Sequence, residues 1–493
     1  MINKKFTALL AVTVGALFVH YWKAHQPLFV KSIQNNIQSP VRKIDDFSQP
    51  KMTVFIHGSF GSLLGFLSFS SVLQDKISGT FYRSVTKKMR NDGFFYKDQP
   101  ILQRGLVRVE PTFDLKAVEG KKFAVYPIAK SFQAIADMVS DGKEKNYFYT
   151  FGWTGLISQK SRRFEAIRLY NALAEELENL KQQGIVPKVR LIAHSHGGNL
   201  CLNLAAINKI LKIGASDEKA IYSKDPEEND ALQKMVATMH DLSTKENAKS
   251  KQDQKVYDYV PEDLSLIIDE LILYGVPIQP ETELFCHSHM FRRVYNFYSS
   301  EDYVQRLDWV TSKKPLSNQR ISCAAVPSED KSLVIQARLF AEKPVHNGKM
   351  KIAKKPVSPK QEKTVFEELI EGRNIFVRHS KDPTHKELWC MQWGEAESPF
   401  VAAINPLPVV ILTPLLLQAL DQAADVFDAD IDIEAAAQYL RVHVAQRDQD
   451  IIKKTVQVSR QAVAALKHKA MAWKPESISP QDDFNAIYKY VSQ

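Results

Sequence analysis

The residues best suited to chemistry stand together in His194-Ser195-His196-Gly197-Gly198, at the end of the apolar run 189–193 and ahead of a helical pattern reaching residue 211. That order reads as strand, sharp turn, helix. The turn lifts the serine onto the edge of a sheet, and the small residues Ala193, Gly197 and Gly198 let strand and helix approach closely. A serine hydroxyl is a weak nucleophile. It attacks a carbonyl only when a neighbouring base takes its proton, and a third group usually orients that base.

The second informative stretch starts with the β-branched and aromatic run 53–56, a buried strand by its composition. It ends in His57-Gly58-Ser59-Phe60-Gly61. Attack on a carbonyl creates an oxyanion, and preorganised backbone N–H groups lower that barrier. The glycines let the backbone reach a substrate.

In this order the two stretches resemble lipase-like members of the α/β-hydrolase superfamily. Ser195 sits in the Gly-x-Ser-x-Gly elbow, with Ala193 in place of the first glycine. His57-Gly58 resembles the loop that supplies one oxyanion amide. The resemblance covers residues 53–389, with large insertions. It implies an α/β fold, a mostly parallel sheet with helices on both faces. It implies Ser195 as nucleophile, with oxyanion amides at Ser59 or Phe60 and at His196. The triad acid commonly follows the strand 294–298, and Asp302 matches that position best; Glu301 and Asp308 are the alternatives. The histidine must come later in the chain. His385, in Asp382-Pro383-Thr384-His385, is preferred, with His346 and His379 as alternatives. The run 264–278 ends in Gly275-Val276-Pro277, similar to the turn after the next strand in such hydrolases.

The residues also define elements that position this site. The run 146–151 is an aromatic strand, 161–180 carries apolar residues on one helical face, and 186–192 enters the elbow. Strand, helix, strand is a βαβ unit with the ligand site at the strand C-termini. Residues 123–126 read as a strand. Residues 215–261 are rich in charge and form an insertion or lid, with a short amphipathic helix at 231–242. Residues 400–420 are apolar but carry three prolines, which argues for a buried or surface-associated segment rather than a spanning helix. Residues 401–493 read as a mostly helical appendage on a hydrolase domain at 50–400, with 434–445 and 451–470 rich in helix formers.

The 493 residues suffice for two or three domains. The net charge of +9 is spread along the chain and defines no nucleic-acid site. Cys201, Cys286, Cys323 and Cys390 are far apart and form no metal or redox motif, and Cys286, His287 and His289 read as a solvated loop. The reading needs no cofactor and no metal. At the N-terminus, Lys4 and Lys5 precede the apolar run 6–22, and no convincing cleavage site follows. Residues 1–25 are therefore read as an uncleaved membrane anchor, or as an export signal, followed by a linker to about residue 49. The expected function is ester hydrolysis by a Ser-His-Asp triad, with a lipid ester at a membrane surface as substrate. The alternatives are an inactive hydrolase fold that binds or scaffolds, an acyltransferase using the same triad, and a peptidase or thioesterase.

Overall fold

A computed structural model describes residues 49–58, 105–114, 125–213, 226–247, 266–305, 320–321, 333–340, 382–389 and 408–466, with short internal gaps. The apolar run 6–22, residues Ser59, Phe60 and Gly61, and residues 341–381, including His346 and His379, lie outside the described residues. So do Asp308, Cys323 and Cys390.

Among the described residues ten strands form one sheet: β1 (Lys51–Ile56), β2 (Gly105–Val109), β3 (Asn146–Gly152), β4 (Lys188–His194), β5 (Ile268–Tyr274), β6 (Phe291–Tyr298), β7 (Leu333–Phe340), β8 (Asp428–Ala435), β9 (Tyr439–Gln446) and β10 (Ile452–Ser459). Their order across the sheet is β10-β9-β8-β7-β6-β5-β4-β1-β3-β2. From β3 to β8 every pair is parallel, and β2, β9 and β10 join antiparallel. The protein is thus an α/β protein with a mostly parallel sheet.

Both faces of the central strands are covered, as a parallel sheet requires. Strand periodicity assigns the residues to faces. Phe55, Ile192, Ile272, Tyr274, Tyr295 and Phe297 point to one apolar cluster. Val54, Ile56, Leu191, Ala193, Leu271, Leu273 and Val294 point to the other. The first cluster is closed by helix α1 (Val125–Ser140) and, late in the chain, by the 3-10 turn Val409–Leu412. The second is closed by α2 (Gln159–Gln182), α3 (His196–Ile213) and α4 (Pro226–Asn247). Helix α5 (Thr413–Gln422) continues the 3-10 turn and packs with α1. Residues 408–422 are therefore a buried segment of the body, as their proline-broken apolar pattern suggests.

Three expectations are corrected. Residues 123–126 were expected to be a strand, but α1 begins at Val125. Pro127 is tolerated in a first helical turn, and Ile128, Ala129, Phe132, Ile135 and Ala136 make one buried helical face. The charged stretch 215–261 contains a helix of 22 residues, longer than the expected 231–242. Its Ala231, Leu232, Met235 and Met239 belong to the second cluster. This part of the insertion is a helix packed into the second cluster rather than a solvated loop. The third correction is the largest. Among the described residues after 427, strands stand where a helical appendage is expected. Residues 428–459 add three strands to the same sheet. Ile431 and Ile433, then Leu440, Val442 and Val444, alternate with polar residues, and this period of two overrides helix propensity.

The N-terminal ends of the central strands are joined by buried charges. Arg190 on β4 pairs with Glu270, its register neighbour on β5, and with Glu144 at 2.7 Å. Lys51 on β1 reaches Glu144 at 3.1 Å and Glu270 at 3.7 Å. Two cations meet two carboxylates, so the cluster is neutral as a whole. Burial alone would raise the Glu144 carboxyl, but Arg190 and then Lys51 outweigh it and bring it down to about 2. A carboxyl depressed in the folded state contributes stability above its unfolded value, and that contribution is lost as pH falls toward 2. Glu144→Gln is therefore expected to cost about 3–5 kcal/mol at pH 7. Urea unfolding checks this, and the gap from wild type should close as pH drops below the unfolded carboxyl range.

Candidate active site

The strand order reverses at β1 and β4. From β1 the chain runs outward to β2 and β3 on one side, and from β4 it continues to β5–β10 on the other. Ligand sites of open parallel sheets lie beyond the strand C-termini at such a point. His57 and Gly58 follow β1 there, and Ser195 follows β4.

Ser195 occupies the single step between the last residue of β4 and the first of α3. Its φ is +51°, in the left-handed region. A side chain there costs roughly 1–2 kcal/mol. The turn is held by Ser195 N–H donating to the Tyr274 carbonyl at 3.0 Å and Gly198 N–H donating to the Ser195 carbonyl at 2.9 Å. The small neighbours are required by contact. A Cβ on Gly58 would lie 2.7 Å from the Ser195 Cβ, and one on Gly197 or Gly198 would strike the His57 carbonyl or Val276. Ala193 faces the second apolar cluster, in register with Ile56 and Leu273, so its methyl group is core packing.

Asp302 lies four residues beyond β6 and is fully buried. Its Oδ1 accepts the Gln305 N–H at 3.1 Å, and its Oδ2 meets His385 Nδ1 at 2.9 Å. A carboxylate accepts, so Nδ1 is the donor of this bond, and in a neutral imidazole that arrangement leaves the lone pair on Nε2. This is the tautomer a general base needs. Glu301 is also buried, its N–H donating to Ser299 Oγ at 3.3 Å, but it is Asp302 that meets the histidine.

His385 sits in the short segment 382–389. The Glu387 carboxylate accepts the Thr384 N–H at 2.7 Å, a capping interaction that closes the turn. Val409 and Val410 donate their N–H groups to the carbonyls of Glu387 and Leu388 at 3.2 and 3.1 Å. Leu388 and Trp389 are fully buried in the first cluster. The late apolar segment thus anchors the histidine loop.

Gly275, directly after β5, has φ +57°. A Cβ there would lie 2.5 Å from Asp302 Oδ2 and 3.0 Å from His385 Nδ1. Gly275→Ala is therefore expected to drive the acid and histidine apart. For the ester hydrolysis expected from the sequence, the loss in kcat should be about 100-fold, the scale of a displacement of about 1 Å. Steady-state kinetics on a protein shown to be folded by circular dichroism checks this.

On the other side of Ser195, His57 Nδ1 donates to the Gly58 carbonyl at 2.8 Å. Trp153 stacks on the ring, and its indole N–H donates to the His57 carbonyl at 2.8 Å. Burial pushes the imidazole down to about 4, so His57 is neutral at pH 7. His196 opens α3, whose N-terminal dipole favours negative charge. Its Nδ1 accepts from the buried Arg162 guanidinium at 2.8 Å, and Arg162 also donates to Gln279 Oε1 at 2.8 Å. Arg162 and Gln279 were not anticipated from the sequence. They lie 34 and 83 residues from His196, and no local pattern marks either one.

The structure therefore brings His57, Gly58, His194, Ser195, His196, Gly197, Asp302 and His385 to one edge of the sheet. The expected oxyanion donors Ser59 and Phe60, with Gly61, lie outside the described residues, as do the alternative histidines His346 and His379. Cys286 and His287 lie in a 3-10 turn, Leu284–His287, rather than in a solvated loop, and Cys286 is buried. Among the described residues no group of three or more His, Cys, Asp or Glu side chains is arranged to hold a metal ion. Comparison with protein-family models and with curated proteins yields no match for this chain.

Proposed function

We propose that this protein is a serine hydrolase of the α/β-hydrolase superfamily that cleaves carboxylic esters. One observation carries the reading. A serine in left-handed backbone conformation at the C-terminal end of a central parallel strand shares its sheet edge with a partly exposed His385 paired to the buried Asp302. The chain order Ser195, Asp302, His385 is that of the superfamily. In this reading His385 Nε2 takes the Ser195 proton as Oγ bonds to the ester carbon. The carbonyl electron pair moves onto oxygen, where the His196 N–H and an amide of the loop after Gly58 hold it. Collapse expels the alcohol, which receives the proton from His385. Water then attacks the acyl-enzyme by the same route and releases the acid.

The lipid character of the substrate rests on the apolar run 6–22 of the sequence. Among the described residues no helix is long and apolar enough to cross a membrane. An acyltransferase differs only in admitting an alcohol where the hydrolase admits water.

A fluorophosphonate probe tests the reading, because it reacts with an activated serine and not with a merely exposed one. Peptide mapping after labelling is expected to place a single phosphonate on Ser195. Folded protein that stays unlabelled, in detergent and with lipid present, overturns the reading and favours a binding or scaffolding role. Transfer of an acyl group to added alcohol in preference to water redirects it to an acyltransferase.

A further inference from the structure

His194 ends β4 immediately before Ser195, and its side chain does not face solvent; it is 2 % exposed. Its ring lies 4.3 Å from the ring of His385 and stacks in parallel on Trp389, with centroids 5.2 Å apart and planes inclined by 9°. Its Nε2 lies 3.0 Å from the backbone carbonyl of His385. A carbonyl only accepts, so Nε2 carries the proton and donates it. On the other side the ring packs against the Gly58 backbone, where an added Cβ would lie 3.1 Å from Nδ1. One side chain thus touches the oxyanion loop, the nucleophile strand and the histidine loop.

We propose that His194 is a positioning residue that fixes the His385 loop against the Ser195 elbow, an inference that rests on the serine-hydrolase reading. Asp302 meets the His385 ring, and the Val409 and Val410 N–H groups hold the loop at Glu387 and Leu388. The His194 hydrogen bond adds a direct tie to β4, since it runs from the residue before the nucleophile to the backbone of the base itself. Burial, and then the neighbouring His385, hold the His194 imidazole well below its ordinary pKa, so it stays neutral while His385 cycles through its charged form. A neutral His194 puts no second positive charge beside the imidazolium that His385 becomes.

Two variants separate the hydrogen bond from ring packing. His194→Phe keeps the stack on Trp389 and removes the donor. His194→Gln keeps an N–H near the position of Nε2 and removes the ring. With p-nitrophenyl butyrate, His194→Phe is expected to lose about 10- to 100-fold in kcat with KM within about twofold. Fluorophosphonate labelling should slow in parallel, and His194→Gln should recover most of the loss. Full kcat in folded His194→Phe, or no recovery in folded His194→Gln, overturns the proposal. A readout on the wild type does not depend on a variant folding. Nitrogen-15 imidazole spectra at pH 7 should show His194 as the neutral Nε2–H form, and an Nδ1–H tautomer or a cation there overturns the proposal. Wild type that labels at Ser195 while His194→Phe labels equally fast removes the positioning role alone. Wild type that never labels removes the hydrolase reading itself.

Discussion

Ser195→Ala is expected to abolish fluorophosphonate labelling and to lower ester turnover by about 10⁴- to 10⁶-fold, with the melting temperature nearly unchanged. The size of the effect follows from role. On the proposed reading the histidine, the acid and the oxyanion donors all act through the Ser195 oxygen, so removing that atom forfeits their joint contribution. The fold persists because the side chain is small and the turn is held by backbone bonds, Ser195 N–H to Tyr274 and Gly198 N–H to Ser195, which alanine retains. Alanine also fits as serine does beside Gly58, whose approach is to the Cβ. Turnover within tenfold of wild type would place the chemistry elsewhere.

Asp302→Asn is expected to lower kcat by about 10³- to 10⁴-fold, and the reason lies in the two oxygens of this carboxylate. Oδ1 faces the Gln305 N–H and Oδ2 faces His385 Nδ1. An asparagine has one oxygen and one NH₂ group. If its oxygen serves Gln305, its NH₂ faces Nδ1, which must become the acceptor. The His385 proton then moves to Nε2, and the base is lost. The reverse orientation sets NH₂ against the Gln305 N–H. Glu301→Gln, at the neighbouring buried carboxylate, is expected to cost less than about tenfold, the ordinary scale of a positional change away from the reacting groups. Pre-steady-state kinetics on both variants checks the assignment, and an equal loss in Glu301→Gln would share the acid role between them.

The parts of the site visible in the sequence are those whose constraints are local. A strand, a small-residue turn and a helix are consecutive, so Ser195 stands out within a dozen residues. Asp302 is reached through the superfamily resemblance, which sets the acid shortly after the strand that is β6 here. His385 is harder to read, since its partner is 83 residues away and the selecting contact is a hydrogen bond between distant loops. The Arg162–His196–Gln279 contacts are illegible for the same reason. The strands after residue 427 illustrate a different failure. Glu434, Ala435 and the alanines beyond are good helix formers, and the alternation of Ile, Leu and Val around them is the weaker local signal. It prevails because β7 offers an edge to pair with, and a half-buried edge rewards a period of two. The amphipathic pattern at 231–242 is legible, but not the length of the helix or the apolar cluster that its Ala231, Leu232, Met235 and Met239 join.

The late position of β8 and of the turn at Val409–Leu412 bears on the order in which the chain is synthesised. Arg338 and Asp430, paired across β7 and β8, are 92 residues apart. By contrast, β1, β3 and β4 are adjacent in the sheet and all complete by His194. At about 5–20 residues per second, roughly 10–40 s separate the synthesis of Ser195 from that of the segment that anchors the histidine loop. During that interval the serine has its strand and its turn but no tethered base. On the proposed reading it is chemically silent until the C-terminal strands arrive. Nascent chains, and chains broken off before the last strands, then expose no working hydrolase to the esters around them.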